Sequence, residues 1–313
     1  MRALITGITG FAGSFLAEYL LQNGDELMGC SRSARWGGGV PVELASDIAL
    51  FSWDVSQPLT AAAHKEIEIF APECIYHLAA MSTPSDCGGA EPNELAIATN
   101  VEGTRAVTEL AMSLDPKPKV LFTSSCHVYG RVTTAAPIVS ESTELAPHRA
   151  YGKTKFAAEK VFATAIQRGM PGMIARAFHH TGPRQSPRMV LPDWVRQFAA
   201  TDGKPIRVQT MDANLDLSDV RDIVRAYRAL MEKGQVGEAY NIGTGISRRS
   251  GDIFAQLSKM VDPDREVIEV SPQTVQQPIA DISKLRSHTK WKPVYSLTDT
   301  LRDTLSFWQQ KDD

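Results

Sequence analysis

The sequence predicts an α/β protein built on a doubly wound parallel sheet, with a smaller α/β unit towards the C-terminus. Short apolar runs typical of buried strands alternate with helical segments through the first half of the chain, as in repeated βαβ units. A glycine-rich turn directly follows the first strand and leads into an apolar helix. The chain has 313 residues, enough to bury a large core in one extended domain or two closely joined ones.

The predicted elements alternate between strand and helix. The predicted strands are Ala3–Thr6, Glu26–Cys30, Ala49–Trp53, Cys74–Leu78, Val120–Thr123 and Gly172–Ala175. The predicted helices between them are Phe11–Gln22, Leu59–Phe70, Glu94–Ser113 and Ala150–Arg168. After residue 178 the alternation loosens, because prolines at positions 183, 187 and 192 predict an irregular loop. Beyond that loop we predict a strand at Ala239–Ile242 and helices near Asp193–Ala200, Asp219–Lys233 and Leu297–Trp308.

The glycine-rich turn has the spacing G-x-x-G-x-x-G, with glycines at positions 7, 10 and 13. A strand, a glycine turn and a helix in this order aim backbone N–H groups and a helix N-terminus at a pyrophosphate. Glycine permits the tight turn, the close approach of the phosphate and the close packing of the helix on the strand. The turn therefore predicts a dinucleotide site, whose contacts are Gly7, Thr9, Gly10, Phe11, Ala12 and Gly13.

Tyr151 and Lys155 are four residues apart in a predicted helix and so share one helix face. A neighbouring positive charge favours phenolate and lowers the pKa of a phenol from its usual value of about 10. The pair predicts an acid–base group that works near neutral pH, as carbonyl reduction or alcohol oxidation requires. The alternative is a surface helix with an amphipathic tyrosine and a solvated lysine.

Composition argues against several classes of partner. The formal net charge of −3 gives no positive field for a nucleic acid, and no apolar run is long enough to span a bilayer. No charged and then apolar leader precedes the first strand, so we expect a cytoplasmic protein. The cysteines show no metal-ligand spacing, and we expect free thiols and no bound metal at Cys30, Cys74, Cys87 and Cys126.

Seven motifs occur in order, namely Thr6–Gly13, Asp54–Val55, His77–Ala80, Asn100–Thr104, Thr123–Gly130, Tyr151–Lys155 and Arg176–Pro183. With them the chain resembles the extended short-chain dehydrogenase/reductase family over nearly its whole length. It is most similar to the nucleotide-sugar branch, and within it to GDP-4-keto-6-deoxymannose reductases and GDP-mannose 4,6-dehydratases. We expect a Rossmann-type dinucleotide-binding domain over residues 1–177, to which residues 213–245 return. The expected substrate-binding subdomain comprises residues 178–212 and 246–313.

The resemblance implies further contacts to the cofactor. Asp54 would accept a hydrogen bond from the adenine amino group, the alternative being an aspartate that ends a strand and caps the next helix. Asn100 has poor propensity inside a helix, and the family uses such an asparagine to hold a helix irregularity beside the active site. An ordinary buried, hydrogen-bonded asparagine is the alternative. The other implied contacts are Val55, Leu78, Ala79, Ala80 and Phe178, with core packing as the alternative for the two alanines.

The end of the second predicted strand decides the choice of cofactor. NAD-preferring sites usually carry a carboxylate there for the ribose 2'-hydroxyl, and none is present. Ser31, Arg32 and Arg35 could instead hold a 2'-phosphate, because a guanidinium suits that geometry. We therefore favour NADP(H), with NAD(H) and a solvated arginine as the alternative.

The catalytic residues implied by the resemblance are Ser125, Tyr151 and Lys155, with His127 as a further candidate. Ser125 would hydrogen-bond the reacting oxygen, and Lys155 would hold the nicotinamide ribose while lowering the Tyr151 pKa. His127 stands where the dehydratases carry a glutamate, which argues against dehydration. Imidazole titrates in a useful range, and whether His127 assists catalysis or only contacts substrate stays open.

The substrate half departs from the family pattern. His179 replaces an asparagine that contacts the sugar phosphates, and Leu215 and Gln277 stand where relatives have arginines. His179 and His180 do not form a metal pair, because adjacent side chains in an extended segment point in opposite directions. The predicted substrate contacts are Ser82, Ser125, Cys126, His127, His179, Arg184 and Arg188. The candidates to replace the lost arginines are Arg184, Arg188, Arg196, Arg207 and Arg221.

Three functional hypotheses follow. The first is an NADP(H)-dependent oxidoreductase that reduces the 4-keto group of a nucleotide 6-deoxysugar. The second is a nucleotide-sugar 4-epimerase or 4,6-dehydratase that recycles its cofactor internally. The third is a non-catalytic dinucleotide-binding regulatory protein, which an intact set of Ser125, Tyr151 and Lys155 argues against. Because family members commonly dimerise through two long helices, we also expect a homodimer.

Overall fold

The computed structural model describes residues 1–37, 39–200 and 203–312. Its strands are β1 Arg2–Thr6, β2 Glu26–Ser31, β3 Ala49–Ser52, β4 Cys74–His77, β5 Lys119–Ser125, β6 Ile138–Val139, β7 Gly172–Ala177, β8 His179–Thr181, β9 Ile206–Val208, β10 Ala213–Asp219, β11 Ala239–Ile242, β12 Ser247–Arg249, β13 Val267–Glu269, β14 Val275–Gln276 and β15 Ile279–Ala280. Its α-helices are α1 Phe11–Gln22, α2 Val42–Asp47, α3 Ala61–Phe70, α4 Glu94–Ile97, α5 Gly103–Ser113, α6 Ala150–Gln167, α7 Val190–Ala199, α8 Val220–Lys233, α9 Ser250–Val261, α10 Ser283–Thr289 and α11 Leu297–Asp312.

Seven parallel strands form the central sheet, in the order β11-β7-β5-β4-β1-β2-β3. The chain winds outward from β1 in one direction through β2 and β3, and then returns to place β4 on the other side of β1. This reversal creates a crevice at the carboxyl ends of β1 and β4, the place where such sheets bind ligands. The predicted doubly wound parallel sheet is confirmed.

Two apolar cores cover the two faces of this sheet. One contains Leu16 and Leu20 of α1 with Tyr227 and Leu230 of α8. The other contains Val107 and Leu110 of α5 with Phe162 of α6. Because the strands are buried on both faces, they appear in the sequence as continuous apolar runs rather than alternating ones.

Small sheets and a third core follow in the C-terminal part. β10 lies between β12 and β14, and its second half also pairs with β8. A separate core packs α7, α9 and α11 around residues such as Trp194, Phe254 and Leu301. β11 is a strand of the central sheet and α8 packs in one of its two cores, whereas β10 belongs to the small sheets. Leu285 and Trp291, from the C-terminal part of the chain, pack into the core that contains α1 and α8. The division into two domains remains a prediction.

The predicted helix over residues 94–113 contains an irregularity. α4 is followed by a π-helical turn at Ala98–Glu102 before α5 begins at Gly103. Most of the elements that the sequence did not predict are strands of two or three residues, which are too short to show a period of two. The others are the seven-residue strand β10 and the helices α2, α9 and α10.

Candidate active site

The turn between β1 and α1 has the shape of a phosphate cradle. Gly7 adopts a φ of +72°, and a Cβ there would lie 2.7 Å from the backbone nitrogen of Ala79. A Cβ on Gly13 would lie 2.3 Å from the carbonyl oxygen of Gly7. α1 begins after Gly10 without a side-chain cap, so its first N–H groups are available to an anion. The turn, with Thr9, Phe11 and Ala12 partly buried on it, therefore fits a dinucleotide pyrophosphate.

The end of β2 lies beside this turn, since the Gly7 N–H donates to the Cys30 carbonyl oxygen at 2.8 Å. The hydroxyl oxygen of Ser31 is buried and has no hydrogen-bond partner among the described residues. Arg32 is exposed, and its guanidinium makes no ion pair within the described part of the chain. An unpartnered hydroxyl beside an unpaired guanidinium fits a polar or anionic group on the adenosine ribose.

Asp54 and Val55 lie just after β3. One carboxylate oxygen of Asp54 accepts hydrogen bonds from the backbone nitrogen and the hydroxyl of Ser56, at 3.0 and 2.7 Å. Val55 is buried, and a Cβ on Gly103 would lie 2.6 Å from its side chain. Asp54 therefore holds a local turn with one oxygen, which leaves its second oxygen as the atom suited to adenine.

Leu78, Ala79 and Ala80 follow β4 as partly buried residues at the mouth of the crevice. The buried His77 imidazole anchors this segment, because its ring nitrogens share hydrogen bonds with the hydroxyls of Thr6 at 2.7 Å and Thr104 at 3.1 Å. Burial lowers the pKa of His77 to about 3, so this histidine is neutral. It positions the crevice rather than exchanging protons.

Asn100 lies in the π-helical turn and is buried. Its carboxamide oxygen accepts a hydrogen bond from the Met81 backbone nitrogen at 2.7 Å. Its amide nitrogen donates to the Met81 carbonyl oxygen at 3.1 Å and to the Thr154 hydroxyl at 3.0 Å. The helix irregularity expected from the family resemblance is therefore present, and Asn100 ties the loop after β4 to α6.

Tyr151 stands in the first turn of α6, and Ser125 ends β5. The two elements approach closely because residue 152 is glycine, where a Cβ would lie 2.5 Å from the His127 carbonyl oxygen. A hydrogen bond from Ser125 acts to lower the pKa of Tyr151, but burial outweighs it and raises that pKa well above its usual range. The Tyr151 phenol is therefore protonated at neutral pH.

Lys155 is buried, only 3% exposed, and its ammonium donates to the carbonyl oxygen of Thr123 at 2.9 Å. Burial lowers the pKa of Lys155 from 10.5 to about 8. The side chains that act on the Tyr151 pKa are Ser125 and two cysteines, not Lys155. The expectation that Lys155 lowers the Tyr151 pKa is therefore wrong for this structure, because the ammonium is directed to a backbone carbonyl.

The lowered pKa of Lys155 predicts how folding stability depends on pH. Below pH 8 the lysine is protonated in both the folded and the unfolded protein. Between pH 8 and 10.5 only the unfolded state binds the proton, so wild-type stability should rise with pH. Urea unfolding measures the free energy of unfolding of wild type and of Lys155→Met. The difference between the two values should increase by about 1.4 kcal/mol per pH unit in this range. A difference that stays flat with pH would contradict the buried ammonium.

Cys126, His127 and His179 form a wall beside Tyr151. The Cys126 sulfur lies 3.9 Å from Nδ1 of His179. The His127 ring stands nearly perpendicular to the rings of both Tyr151 and His179, with centroids 5.4 Å apart in each case. Burial lowers the pKa of His127 to about 4 and that of His179 to about 3, and raises that of Cys126 to about 12. The wall is therefore uncharged at neutral pH.

The same three side chains are a candidate metal-binding group, since their ligand atoms lie within 4.8 Å of one another. His180 is not part of it, because its ring stacks on Phe11 with centroids 6.0 Å apart. The two adjacent histidines thus point apart as predicted, but the grouping of His179 with Cys126 was not predicted. A metal at this wall would require the buried Cys126 thiol to lose its proton.

The predicted substrate residues outside this wall are less closely grouped. Arg184 forms an ion pair with Glu18 of α1. Arg188 forms a bidentate pair with Asp86, at 2.9 and 2.6 Å. Ser82 is exposed in the loop after β4. Both arginines are therefore already neutralised, although Asp86 and Arg188 are partly solvent-exposed and could exchange partners.

The other arginines proposed to replace the lost ones are also held in ion pairs or exposed to solvent. Arg221 contacts Asp219 at 2.7 Å and Asp303 at 2.6 Å. Arg196 faces Asp193 on α7. Arg207 is exposed on β9. None of these three arginines is an unpaired, partly buried cation.

A buried ion pair supports the strand that leads to His179. Arg176 donates two hydrogen bonds to the Glu159 carboxylate, at 3.0 and 2.9 Å, and a third to the Tyr129 hydroxyl at 3.1 Å. Phe178, a predicted cofactor contact, is buried in the core beside Tyr129, with ring centroids 6.2 Å apart. Its side chain is therefore part of the scaffold in this structure.

A model of the NAD-dependent epimerase/dehydratase family matches residues 3–243. The chain belongs to this family. As a member it is an NAD(P)-dependent enzyme of the extended short-chain dehydrogenase/reductase type, with a nicotinamide dinucleotide cofactor. No helix in the described residues is both long and apolar enough to cross a membrane.

Relatives of this epimerase/dehydratase-family enzyme align along nearly its whole length. GDP-6-deoxy-D-mannose reductase of Pseudomonas aeruginosa is 25% identical, over 99% of this chain and 98% of the reductase. dTDP-glucose 4,6-dehydratase of Salmonella typhimurium is 25% identical, over 98% of this chain and 92% of the dehydratase. The structure of UDP-glucuronic acid 4-epimerase from Bacillus cereus, in complex with UDP-glucuronic acid and NAD, is 26% identical. It superposes with a TM-score of 0.85 over 99% of this chain and all of the epimerase.

Sequence reasoning missed several residues that hold the site of this family member in place. Thr123 and Thr154 each bind a predicted site residue, and Glu159 holds Arg176. Thr154 and Glu159 are polar residues at positions that the predicted packing buries, whereas Thr123 acts through its backbone carbonyl. Since a buried polar group needs a hydrogen-bond partner, polar residues inside apolar runs were the available signal.

Proposed function

We propose that this enzyme is an NADP(H)-dependent reductase that acts on the 4-keto group of a nucleotide 6-deoxysugar. The grouping of Ser125 at the end of β5 with Tyr151 and Lys155 on the first turns of α6 carries the proposal. Reduction of a carbonyl requires a proton donor at the carbonyl oxygen, whereas oxidation of an alcohol requires a base. The similarity to GDP-6-deoxy-D-mannose reductase along the whole chain supports the same reaction class.

Each residue of the site has a distinct role in this mechanism. Hydride delivery to the carbonyl carbon is the chemistry that the bound, reduced cofactor supplies. Tyr151 donates its proton to the carbonyl oxygen, and Ser125 hydrogen-bonds that oxygen as negative charge develops on it. Lys155, held by the Thr123 carbonyl, contacts the nicotinamide ribose. The wall of Cys126, His127 and His179 contacts the sugar.

His127 does not support the dehydratase alternative. Dehydration needs one group that removes the C5 proton and protonates the leaving hydroxyl at C6. With its pKa lowered to about 4, the His127 imidazole is a weak base for removing the C5 proton, and it stands where the dehydratases carry a glutamate. The charged groups that affect the His127 pKa are His148 and Arg149, and neither is a carboxylate. We therefore assign His127 to substrate contact.

The cofactor preference rests on Ser31 and Arg32. Within the described residues the buried Ser31 hydroxyl has no hydrogen-bond partner and the Arg32 guanidinium makes no ion pair, which fits a 2'-phosphate. Residues 27–35 at the end of β2 contain no carboxylate for a 2'-hydroxyl. We therefore propose that the enzyme prefers NADP(H) over NAD(H).

Arg32→Ala should raise the Kd for NADPH about 10- to 100-fold, because a charge-assisted hydrogen bond contributes roughly 1.5–3 kcal/mol. The Kd for NADH should not change, since NADH lacks the 2'-phosphate. Isothermal titration of both nucleotides measures this difference, and the same titration of Arg35→Ala tests whether the second candidate arginine contributes. Equal weakening of NADPH and NADH would assign Arg32 to the fold instead of to the phosphate.

The function is tested first by a thermal-shift titration with NADPH, NADH, GDP, UDP and dTDP, since ligand binding raises apparent stability. Stabilisation by NADPH and by one nucleoside diphosphate is expected and would identify the nucleotide. Stabilisation by NADPH alone would exclude a nucleotide-sugar substrate. Dinucleotide that stays bound through purification would favour the 4-epimerase, because an enzyme that recycles its cofactor internally need not release it.

We further propose that the enzyme is a cytoplasmic homodimer joined through α5 and α6. We also propose that residues 1–177 with 213–245 bind the dinucleotide and that residues 178–212 and 246–313 bind the substrate. Of the remaining predicted contacts, Phe178 is buried in the scaffold and Arg184 and Arg188 are held in ion pairs, and the others stay proposals.

A further inference from the structure

A row of three side-chain positions crosses the small sheet around β10. Leu215 pairs directly with Arg248 of the antiparallel strand β12. On the other side, Asn214 pairs with Gln276 of β14, and the Gln277 nitrogen donates to the Asn214 carbonyl oxygen at 2.9 Å. Gln277 is therefore the next residue in register, beside Leu215. Partners in register share one sheet face, so Arg248, Leu215 and Gln277 are neighbours on it.

This face runs from the row to the active-site wall and also borders the third core, against which Leu215 and Leu217 pack. Leu217 lies two residues beyond Leu215 and therefore on the same face, and it pairs with His179 of β8. His179 is in contact with Cys126 and His127 beside Tyr151. The row is therefore displaced from the wall by about 7 Å along β10.

Arg248 differs from the other arginines near the site. Its Nε atom is buried without a hydrogen-bond partner, and the Arg248 side chain makes no hydrogen bond or ion pair within residues 1–37, 39–200 and 203–312. The adjacent Arg249 points to the opposite face and binds Asp212 at 2.9 Å. A buried donor without a partner is destabilising, and a guanidinium in that state is prepared to bind an anion.

We propose that Arg248 is the main anion-binding residue of the substrate site and binds the diphosphate of a nucleoside diphosphate sugar. The assignment rests on the proposed function. The planar guanidinium can bind phosphate oxygens in a bidentate manner. Arg248 lies in the same row as Leu215 and Gln277, the two positions at which the sequence lacks expected arginines. The cation is thus supplied from the neighbouring strand, one strand spacing of about 5 Å away.

The test is isothermal titration of GDP, UDP and dTDP into wild type, Arg248→Ala, Arg248→Lys and the double variant Leu215→Arg/Arg248→Ala. Arg248→Ala should weaken the diphosphate that binds wild type by about 10- to 100-fold. Arg248→Lys should give an intermediate loss of affinity, because lysine keeps the charge but not the planar, bidentate geometry of the guanidinium. The double variant should recover affinity, because it returns a guanidinium to the same face. Arg249→Ala is the matched control and should bind like wild type.

NADPH affinity, measured on every variant, reports whether the protein is folded and should not change. If Arg248→Ala binds the diphosphate as tightly as wild type does, the role of Arg248 is overturned while the proposed function stands. If wild type binds NADPH but none of the three diphosphates, the nucleotide-sugar assignment fails, and the inference fails with it.

Discussion

Tyr151→Phe is expected to lower kcat by about 10³-fold, because a positioned general acid contributes about 10²- to 10⁴-fold. The substitution removes only the hydroxyl that Ser125 contacts. The ring keeps its edge-on packing against His127, whose centroid lies 5.4 Å away. NADPH affinity should not change, since the phosphate cradle at Gly7 and Gly13 is on another part of the crevice.

The measurement is NADPH consumption with the 4-keto sugar of the nucleotide that the thermal-shift titration identifies. Tyr295→Phe is the matched control, because Tyr295 is partly exposed and its ring contacts Arg221, with the guanidinium carbon 3.9 Å from the ring centroid. That variant should keep full activity. If Tyr151→Phe retains more than a few per cent of wild-type turnover, the proton comes from another group, and the proposed mechanism is wrong.

The central sheet could be predicted because short, continuous segments of the sequence determine it. Each buried strand is a continuous apolar run, and the glycine-rich turn carries its own requirement for close backbone approach. Gly7 and Gly13 show this directly, since a Cβ on either would meet backbone atoms within 3 Å. The fold around the dinucleotide site therefore follows from short segments of sequence.

Electrostatics at the site could not be predicted in the same way. The spacing of Tyr151 and Lys155 places them on one helix face, but it does not say how deeply the face is buried. Burial raises the Tyr151 pKa and lowers that of Lys155, and the Lys155 ammonium donates a hydrogen bond to the Thr123 carbonyl oxygen. Both effects depend on elements distant in sequence, so only the three-dimensional structure reveals them.

The same limit explains why Arg248 was missed. Leu215 and Arg248 belong to different strands, and the register that joins them depends on the pairing of β10 with β12. β12 has only three residues and shows no recognisable period, so neither its pairing with the seven-residue strand β10 nor the face that they share is visible in the sequence. A charge lost at one position can therefore be replaced by a residue that a linear motif does not contain.

Glu159→Ala is expected to lower the free energy of unfolding by about 3–5 kcal/mol, because it leaves the buried Arg176 guanidinium without its carboxylate. Both side chains of the pair are less than a tenth exposed. Urea unfolding followed by circular dichroism measures the change. Glu102→Ala is the matched control, because its pair with Arg105 is about half exposed and should contribute at most about 0.5 kcal/mol.

The double variant Glu159→Leu/Arg176→Met separates the ion pair from the packing around it. Replacing both charges by apolar groups of similar volume is often neutral or stabilising, so most of the stability lost in Glu159→Ala should return. Arg176 is the second-last residue of β7, and His179, the first residue of β8, follows three positions later in the chain. If the double variant folds but loses affinity for the nucleoside diphosphate, the ion pair positions the His179 wall. If it folds and binds normally, the pair serves stability alone.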